Sequence, residues 1–228
     1  MAFDYERQTR QAYRSQKVAS EYHTTIDGRL TWSLMPARIV AARERSIVGT
    51  MLSRAPHDTV VDIPVGTGKL APIFRRFGSQ VLALDLSEAM LEVARASFGA
   101  VSHENVDFAV CDAEELAHRY PGPYDICVCL RLLHRVPSDV KRRILAALSS
   151  IAPFSIVSFG IRSWYEPVRS ALRTAVFRTP PLHYCEEPIR DIRIMVASSF
   201  EVLDAKRVLP GFSREMIFFL RSKRFGIR

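Results

Sequence analysis

Thr59-Val-Val-Asp-Ile-Pro-Val-Gly-Thr-Gly-Lys69 is the stretch whose reading decides the fold. It opens as an apolar run rich in β-branched residues, the signature of a buried strand. Gly66-Thr67-Gly68 follows, and Leu70-Ala-Pro-Ile-Phe-Arg-Arg-Phe77 then carries apolar residues at helical spacing. A strand that passes through Gly-x-Gly into a helix can cradle a nucleotide. The glycines let the backbone turn tightly and let a ligand lie against it, and the helix N-terminus offers free N–H groups. The same turn also serves as a plain β–α connector, so the strand ends that follow carry the argument.

Outward from this segment the chain alternates. Strands are predicted at Thr59–Val65, Gln80–Leu86, Asn105–Cys111, Tyr124–Leu130 and Phe154–Gly160, with helices at Lys69–Phe77, Ser87–Phe98, Ala113–Arg119 and Ser138–Ile151. Ser87-Glu88 and Ser138-Asp139 read as helix starts, a hydroxyl cap followed by a first-turn carboxylate. Alternation of this kind predicts an α/β fold with a parallel sheet and helices on both faces, its ligand beyond the carboxyl ends of the strands. A helix near Pro188–Ser199 precedes strands near Phe200–Leu209 and Ser213–Arg221. Pro210-Gly211 between those strands is too short for a parallel crossover, so they form an antiparallel pair.

With 228 residues and 48% hydrophobic content, the chain can bury one normal core. The expectation is one domain: residues 1–50 a helical cover, 51–161 the core, 162–186 an insertion on the ligand side, and 187–228 a helix and strand pair. No apolar run is long enough to span a bilayer and the N-terminus reads as no signal peptide. Cys111, Cys127, Cys129 and Cys185 lack zinc-like spacing. Cys127 and Cys129 alternate within an apolar run, which suggests one face of a buried strand, and a reduced, cytoplasmic setting follows. The net charge of +8 is uneven, since residues 51–161 hold 11 Lys/Arg against 12 Asp/Glu and the excess lies outside them. That excess suits an anionic substrate, a nucleic acid or an anionic membrane surface, or else a solvated arginine-rich surface.

Carboxylates close two of the strands, and a third lies inside the first. Asp85 lies 19 residues after Gly66, the distance at which an acidic residue meets ribose hydroxyls in a dinucleotide fold. Asp112 stands where an adenine amino group would be met, although a helix cap is the commoner role for such a residue. Asp62, inside the first strand, has to accept N–H bonds from the glycine turn or face a cationic ligand group, because an unpaired buried charge costs several kcal/mol. Gly66-Thr-Gly-Lys-Leu-Ala71 also fits the dinucleotide pattern, so an NAD(P)-dependent oxidoreductase is an alternative.

The runs Val60-Val-Asp-Ile-Pro-Val-Gly-Thr-Gly68, Leu82-Ala-Leu-Asp-Leu-Ser-Glu-Ala-Met-Leu91, Phe108-Ala-Val-Cys-Asp-Ala-Glu-Glu-Leu116 and Tyr124-Asp-Ile-Cys-Val-Cys-Leu-Arg-Leu-Leu-His-Arg-Val-Pro137 fit a different cofactor. In order and spacing they resemble the successive motifs of class I S-adenosylmethionine-dependent methyltransferases, of the small bacterial type similar to ubiquinone and menaquinone biosynthesis enzymes. The resemblance covers about residues 58–160. It implies a Rossmann-like, doubly wound, mostly parallel seven-stranded sheet with an antiparallel C-terminal strand pair, and S-adenosyl-L-methionine as cofactor. It further implies that Asp62, Val65, Gly66, Thr67 and Gly68 surround the methionine part and that Asp85 binds the ribose, with Leu86 and Met90 beside the adenine. Asp112 and Ala113 meet the adenine edge, and Leu130 and Arg131 flank the sulfonium. Pro64 departs from the pattern, standing where the family usually has its first glycine, and proline removes a donor and fixes φ.

Methyl transfer from a sulfonium is an in-line displacement, and it needs a base only when the nucleophile must lose a proton. His134 is the candidate base, with a packing or capping role as the equal alternative. No metal-ligand cluster appears, which argues against a magnesium-dependent catechol-type enzyme. Trp164, Tyr165, Arg169 and Arg173, with Tyr13, Tyr22 and Arg29, are candidate acceptor contacts, aromatics for a ring or acyl chain and arginines for phosphate or carboxylate. The expected acceptor is a small or lipid-linked, anionic molecule methylated at O or C. The alternatives are an RNA methyltransferase and a silent module that keeps the cofactor fold.

Overall fold

The computed structural model describes residues 35–99, 105–162, 185–210 and 213–226. Its first helix, α1, spans Met35–Leu52. The strands and helices that follow are β1 (Thr59–Asp62), α2 (Ala71–Phe77), β2 (Gln80–Asp85), α3 (Glu88–Phe98), β3 (Val106–Val110), α4 (Leu116–Arg119) and β4 (Ile126–Cys129). The chain continues through α5 (Ser138–Ile151), β5 (Phe154–Gly160), α6 (Ile189–Ala197), β6 (Phe200–Arg207) and β7 (Glu215–Ser222). The seven strands lie in the order β3-β2-β1-β4-β5-β7-β6. Pairing is parallel from β3 through β5, and β7 enters antiparallel between β5 and β6. This is the mostly parallel sheet with an antiparallel C-terminal pair that the sequence predicts.

Both faces are covered, which is why the central strands are apolar throughout. Val61, Cys127, Cys129, Val157 and Phe218 pack with α5 and α6 on one side. Val60, Ile126, Val128, Ile156 and Phe219 pack with α1, α2 and α3 on the other. Cys127 and Cys129 therefore share a face of a buried strand, as expected. Helix α5 buries Val140, Ile144, Leu145, Leu148 and Ile151, the i, i+4 spacing of a helix with one inward stripe. Helix α2 stops at Gly78, whose φ of 68° lets its N–H turn back to the Arg75 and Phe74 carbonyls.

Two predicted caps fail. Ser87 precedes α3, but its side chain makes no capping bond. Ser138 is already inside α5, where Pro137 holds the cap position, and its hydroxyl donates to Glu187 Oε1 at 2.6 Å. The second partner of Glu187 is Lys141, only 1% exposed, which also donates to the Cys185 carbonyl at 2.6 Å. With the Ile161–Glu187 bridge, these bonds tie the segment beginning at Cys185 to the end of β5.

Candidate functional site

The strand order reverses between β1 and β4, and the ends of those strands with those of β2 and β3 open into one cleft. That is where a doubly wound sheet has room for a ligand. Of the twelve residues expected around the cofactor, eleven line this cleft: Asp62, Val65, Gly66, Thr67, Asp85, Leu86, Met90, Asp112, Ala113, Leu130 and Arg131. Gly68 stands apart. Its φ is 72°, and a Cβ there would lie 2.9 Å from Ser97 Cβ and 3.2 Å from Ala94 Cα, so it is the glycine that lets the turn press against α3. Gly66, with φ of 56°, faces open space.

The carboxylates divide the work differently from expectation. The Gly66 N–H donates to Asp85 Oδ2 at 2.9 Å, and the Ser87 N–H donates to Asp85 Oδ1 at 3.0 Å. Asp85 thus ties the glycine turn to the start of α3 and retains further lone pairs toward the cleft. Burial raises its carboxyl, against the N–H groups of Ser87, Gly66 and Leu86 that lower it. Asp62 receives nothing from the glycine turn. It is 2% exposed, and burial, then the neighbouring Asp85, hold its carboxyl well above the ordinary 3.8. Asp112 accepts from the Glu114 N–H at 3.0 Å in the turn leading to α4.

Several lining residues escaped the sequence reading. Ala41, Glu44 and Arg45 come from α1, Cys111 follows the third strand, and Arg135 comes after the fourth. Cys111 donates weakly to the Asp112 carbonyl, and burial pushes its thiol up to about 11, so it is a packing thiol. Arg131 donates through Nε to Glu44 Oε1 at 3.1 Å and through Nη2 to Glu44 Oε2, a fork no local pattern announces.

His134 does not line the cleft. It is buried against Gly160, where an added Cβ would meet His134 Cβ at 2.8 Å, and its carbonyl accepts from the Cys185 N–H at 2.8 Å. Burial, then Arg135, Arg131, Lys141 and Arg214, hold its imidazole well below 6.5, so the ring is neutral at pH 7. The acceptor candidates Tyr13, Tyr22, Arg29, Trp164, Tyr165, Arg169 and Arg173 lie outside the described residues.

Comparison with known proteins finds similarity to methyltransferases. Residues 60–152 match the family model of a methyltransferase domain. That match takes in about two fifths of the chain and holds the four motifs read from the sequence. The chain's similarity to curated methyltransferases is local. The ubiquinone biosynthesis O-methyltransferase of Acinetobacter baylyi is 35% identical over 100 residues, 44% of this chain and 42% of that protein. The enzyme of the same description from Bordetella parapertussis is 38% identical over 82 residues, 36% and 34% of the two chains. The chain thus spans about two fifths of the length of the curated relatives it matches. Among solved structures, magnesium protoporphyrin IX methyltransferase from Synechocystis PCC 6803 with bound SAH superposes with a TM-score of 0.75 at 22% identity, over 93% of this chain and 98% of that one. The resemblance to class I methyltransferases of the ubiquinone biosynthesis type, read from four motifs, holds in sequence and in fold.

Proposed function

We propose that this chain is a one-domain, S-adenosylmethionine-dependent methyltransferase acting on the oxygen of a small or lipid-linked acceptor. The observation that carries the reading is the convergence of the four matched motifs on one cleft, within a segment that matches the methyltransferase domain family. The curated relatives are named O-methyltransferases of ubiquinone biosynthesis, which supports oxygen as the nucleophile and a lipid-like acceptor.

The residues present fit the cofactor. The Thr67 hydroxyl is buried at the turn without a hydrogen-bond partner. Among the described residues no hydrogen bond reaches the Asp62 carboxyl, and the space beside Gly66 is open. A ligand bringing a cationic ammonium and hydroxyl donors answers those vacant acceptors. When bound, S-adenosylmethionine supplies an electrophilic methyl on a sulfonium. Asp62 and Thr67 would hold its methionine end, Asp85 its ribose, and Leu86, Met90, Asp112 and Ala113 its adenine. Leu130 and Arg131 form the wall facing the acceptor.

The protein's contribution is alignment and exclusion of water. His134 takes no part in this reading, because it does not line the cleft and burial, then the surrounding cations, oppose its protonation. The acceptor contacts are proposed at Tyr13, Tyr22, Arg29, Trp164, Tyr165, Arg169 and Arg173, whose arginines suit an anionic group. A reducing, cytoplasmic setting belongs to the same proposal and is supported by the buried thiols of Cys127 and Cys129.

Thermal unfolding tests the cofactor. S-adenosylmethionine or its demethylated product at ~100 times Kd is expected to add about 2.7 kcal/mol and raise the Tm by several degrees, and NADH is expected to leave it unchanged. Stabilisation by NADH alone overturns the reading.

A further inference from the structure

Among the described residues Arg131 is the one non-glycine with a left-handed backbone, at φ 60°. That conformation is costly for a side chain of this size and persists only where the surroundings impose it. Three elements do so. The Arg131 N–H donates to Ser158 Oγ on β5 at 2.8 Å. The guanidinium forks onto Glu44 of α1, and the same Nε lies 3.8 Å from Glu215 Oε2 at the start of β7. One guanidinium therefore stands between two carboxylates, Glu44 at 6% and Glu215 at 9% exposure. The Glu215 Oε1 atom is buried with no hydrogen-bond partner.

The position of Glu44 gives this arrangement its consequence. From Arg38 onward it is the first buried side chain of α1, with Ile39 before it half exposed. Val40 packs against the core partly buried, and the fully buried apolar anchors Ile47, Val48, Met51 and Leu52 all come later in the helix. Ala41, Glu44 and Arg45 line the cleft, so the part of α1 that forms the cleft wall precedes its fully buried anchorage.

We infer that Glu44, Arg131 and Glu215 are positioning residues forming a clasp, in which Arg131 binds the cleft-lining part of α1 to the sheet and Glu215 is a rival partner whose negative charge loosens that hold. Two carboxylates, each less than a tenth exposed, crowd negative charge around one guanidinium unless one carboxyl keeps its proton. Burial, then the charge of Glu44, raise the Glu215 carboxyl to about 7, with Arg131, Ser158 and Arg135 opposing. The groups facing it are thus Glu44 from α1, Ser158 from β5, and Arg131 and Arg135 from the segment after β4. Nearby, His134 is neutral, and Arg214 is paired with Glu186 at 2.5 Å.

With α1 seated, Glu215 keeps its proton up to about pH 7. When that part of α1 lifts, Glu44 leaves, Arg131 turns to Glu215, and the carboxyl ionises at lower pH. Opening therefore releases a proton, and rising pH favours it through that range.

Amide hydrogen exchange on the full chain, read as protection factors over residues 38–46, tests the clasp without any ligand. Wild-type protection is expected to fall several-fold between about pH 6 and about pH 8. Glu215→Gln is expected to keep the low-pH protection at both values, and Glu44→Gln to lose on the order of tenfold at both. Should Glu44→Gln fail to fold, Arg131→Lys is expected to give a smaller loss in the same direction, since it keeps the charge without the fork. A pH response equal in Glu215→Gln and wild type, or protection untouched by both Glu44→Gln and Arg131→Lys, overturns the inference. Calorimetry with S-adenosylhomocysteine is the separate arm, resting on the cofactor reading above. Several-fold weaker binding by Glu44→Gln is expected, whereas a wild type that binds none removes that reading and leaves the exchange result to decide the clasp.

Discussion

Asp62 is a buried carboxyl that lines the cleft, and its cost can be measured. The unfolded chain ionises this group above about 3.8, the folded chain only at higher pH, so folding takes up a proton between the two values. The group's contribution is complete below about 3.8 and is lost as pH rises through the folded value. Asp62→Asn is therefore expected to stabilise the free protein increasingly toward neutral pH, by about 1–3 kcal/mol, while weakening S-adenosylmethionine binding about tenfold or more. Urea unfolding across a pH series checks the first part and calorimetry the second. A stability difference that does not change with pH would mean that the carboxyl already has a donor. The sequence shows that Asp62 and Asp85 matter, because both end apolar strands beside the glycine turn. It does not show that the turn's N–H selects Asp85, nor that Arg131 reaches Glu44, a partner 87 positions away.

The glycine turn separates two roles that one motif conceals. Alanine at Gly68 has to displace Ser97 and the Ala94 backbone, an overpacking cost of about 1–3 kcal/mol added to about 1–2 kcal/mol for the left-handed backbone. Alanine at Gly66 meets nothing within 4 Å and incurs only the backbone cost, but its methyl enters the cleft. Denaturant titration is expected to rank Gly68→Ala as the less stable variant, and calorimetry to rank Gly66→Ala as the weaker cofactor binder. The reverse ranking would exchange the two roles. Around this turn the predicted strand runs past its ladder for a physical reason. Ile63 donates to the Val128 carbonyl on one side, and Val65 to the Leu84 carbonyl on the other, so both are buried without continuing β1. Apolar periodicity reports burial, and here burial outlasts regular pairing. The hydroxyl at Ser138 misled because a capping residue type does not reveal whether a stronger carboxylate lies within reach, while the Ser87 hydroxyl is buried without a partner.

Charge bears on the choice of acceptor across the molecule. Some arginines of the described residues are engaged with carboxylates: Arg54 with Asp204, Arg143 with Glu114 and Asp139, Arg221 with Glu201, Arg214 with Glu186. Such pairs contribute little stability at a surface, about 0–1 kcal/mol each, but where they form they offset positive charge that a nucleic acid would need. Transfer of a methyl label into cell extract is therefore expected to mark the lipid or small-molecule fraction. Label in RNA, with binding that weakens steeply between ~50 and ~200 mM salt, would favour the nucleic-acid alternative. The fold and the cofactor side were legible because they depend on repeated local patterns at strand ends. The acceptor side was not, since its candidate residues are scattered through segments without a periodic signature.

Strand β7 has a bearing on how the protein is made. It fills the gap between β5 and β6, pairing from Gly160–Glu215 to Phe154–Arg221 on one side and along β6 on the other. On the ribosome it is the last of the seven strands to emerge. Until residues 215–222 clear the exit tunnel, β5 and β6 each present an open hydrogen-bonding edge, the surface on which nascent chains pair with one another. A message broken before Glu215 would thus yield a sticky fragment rather than a slightly shortened protein, with both edges left open.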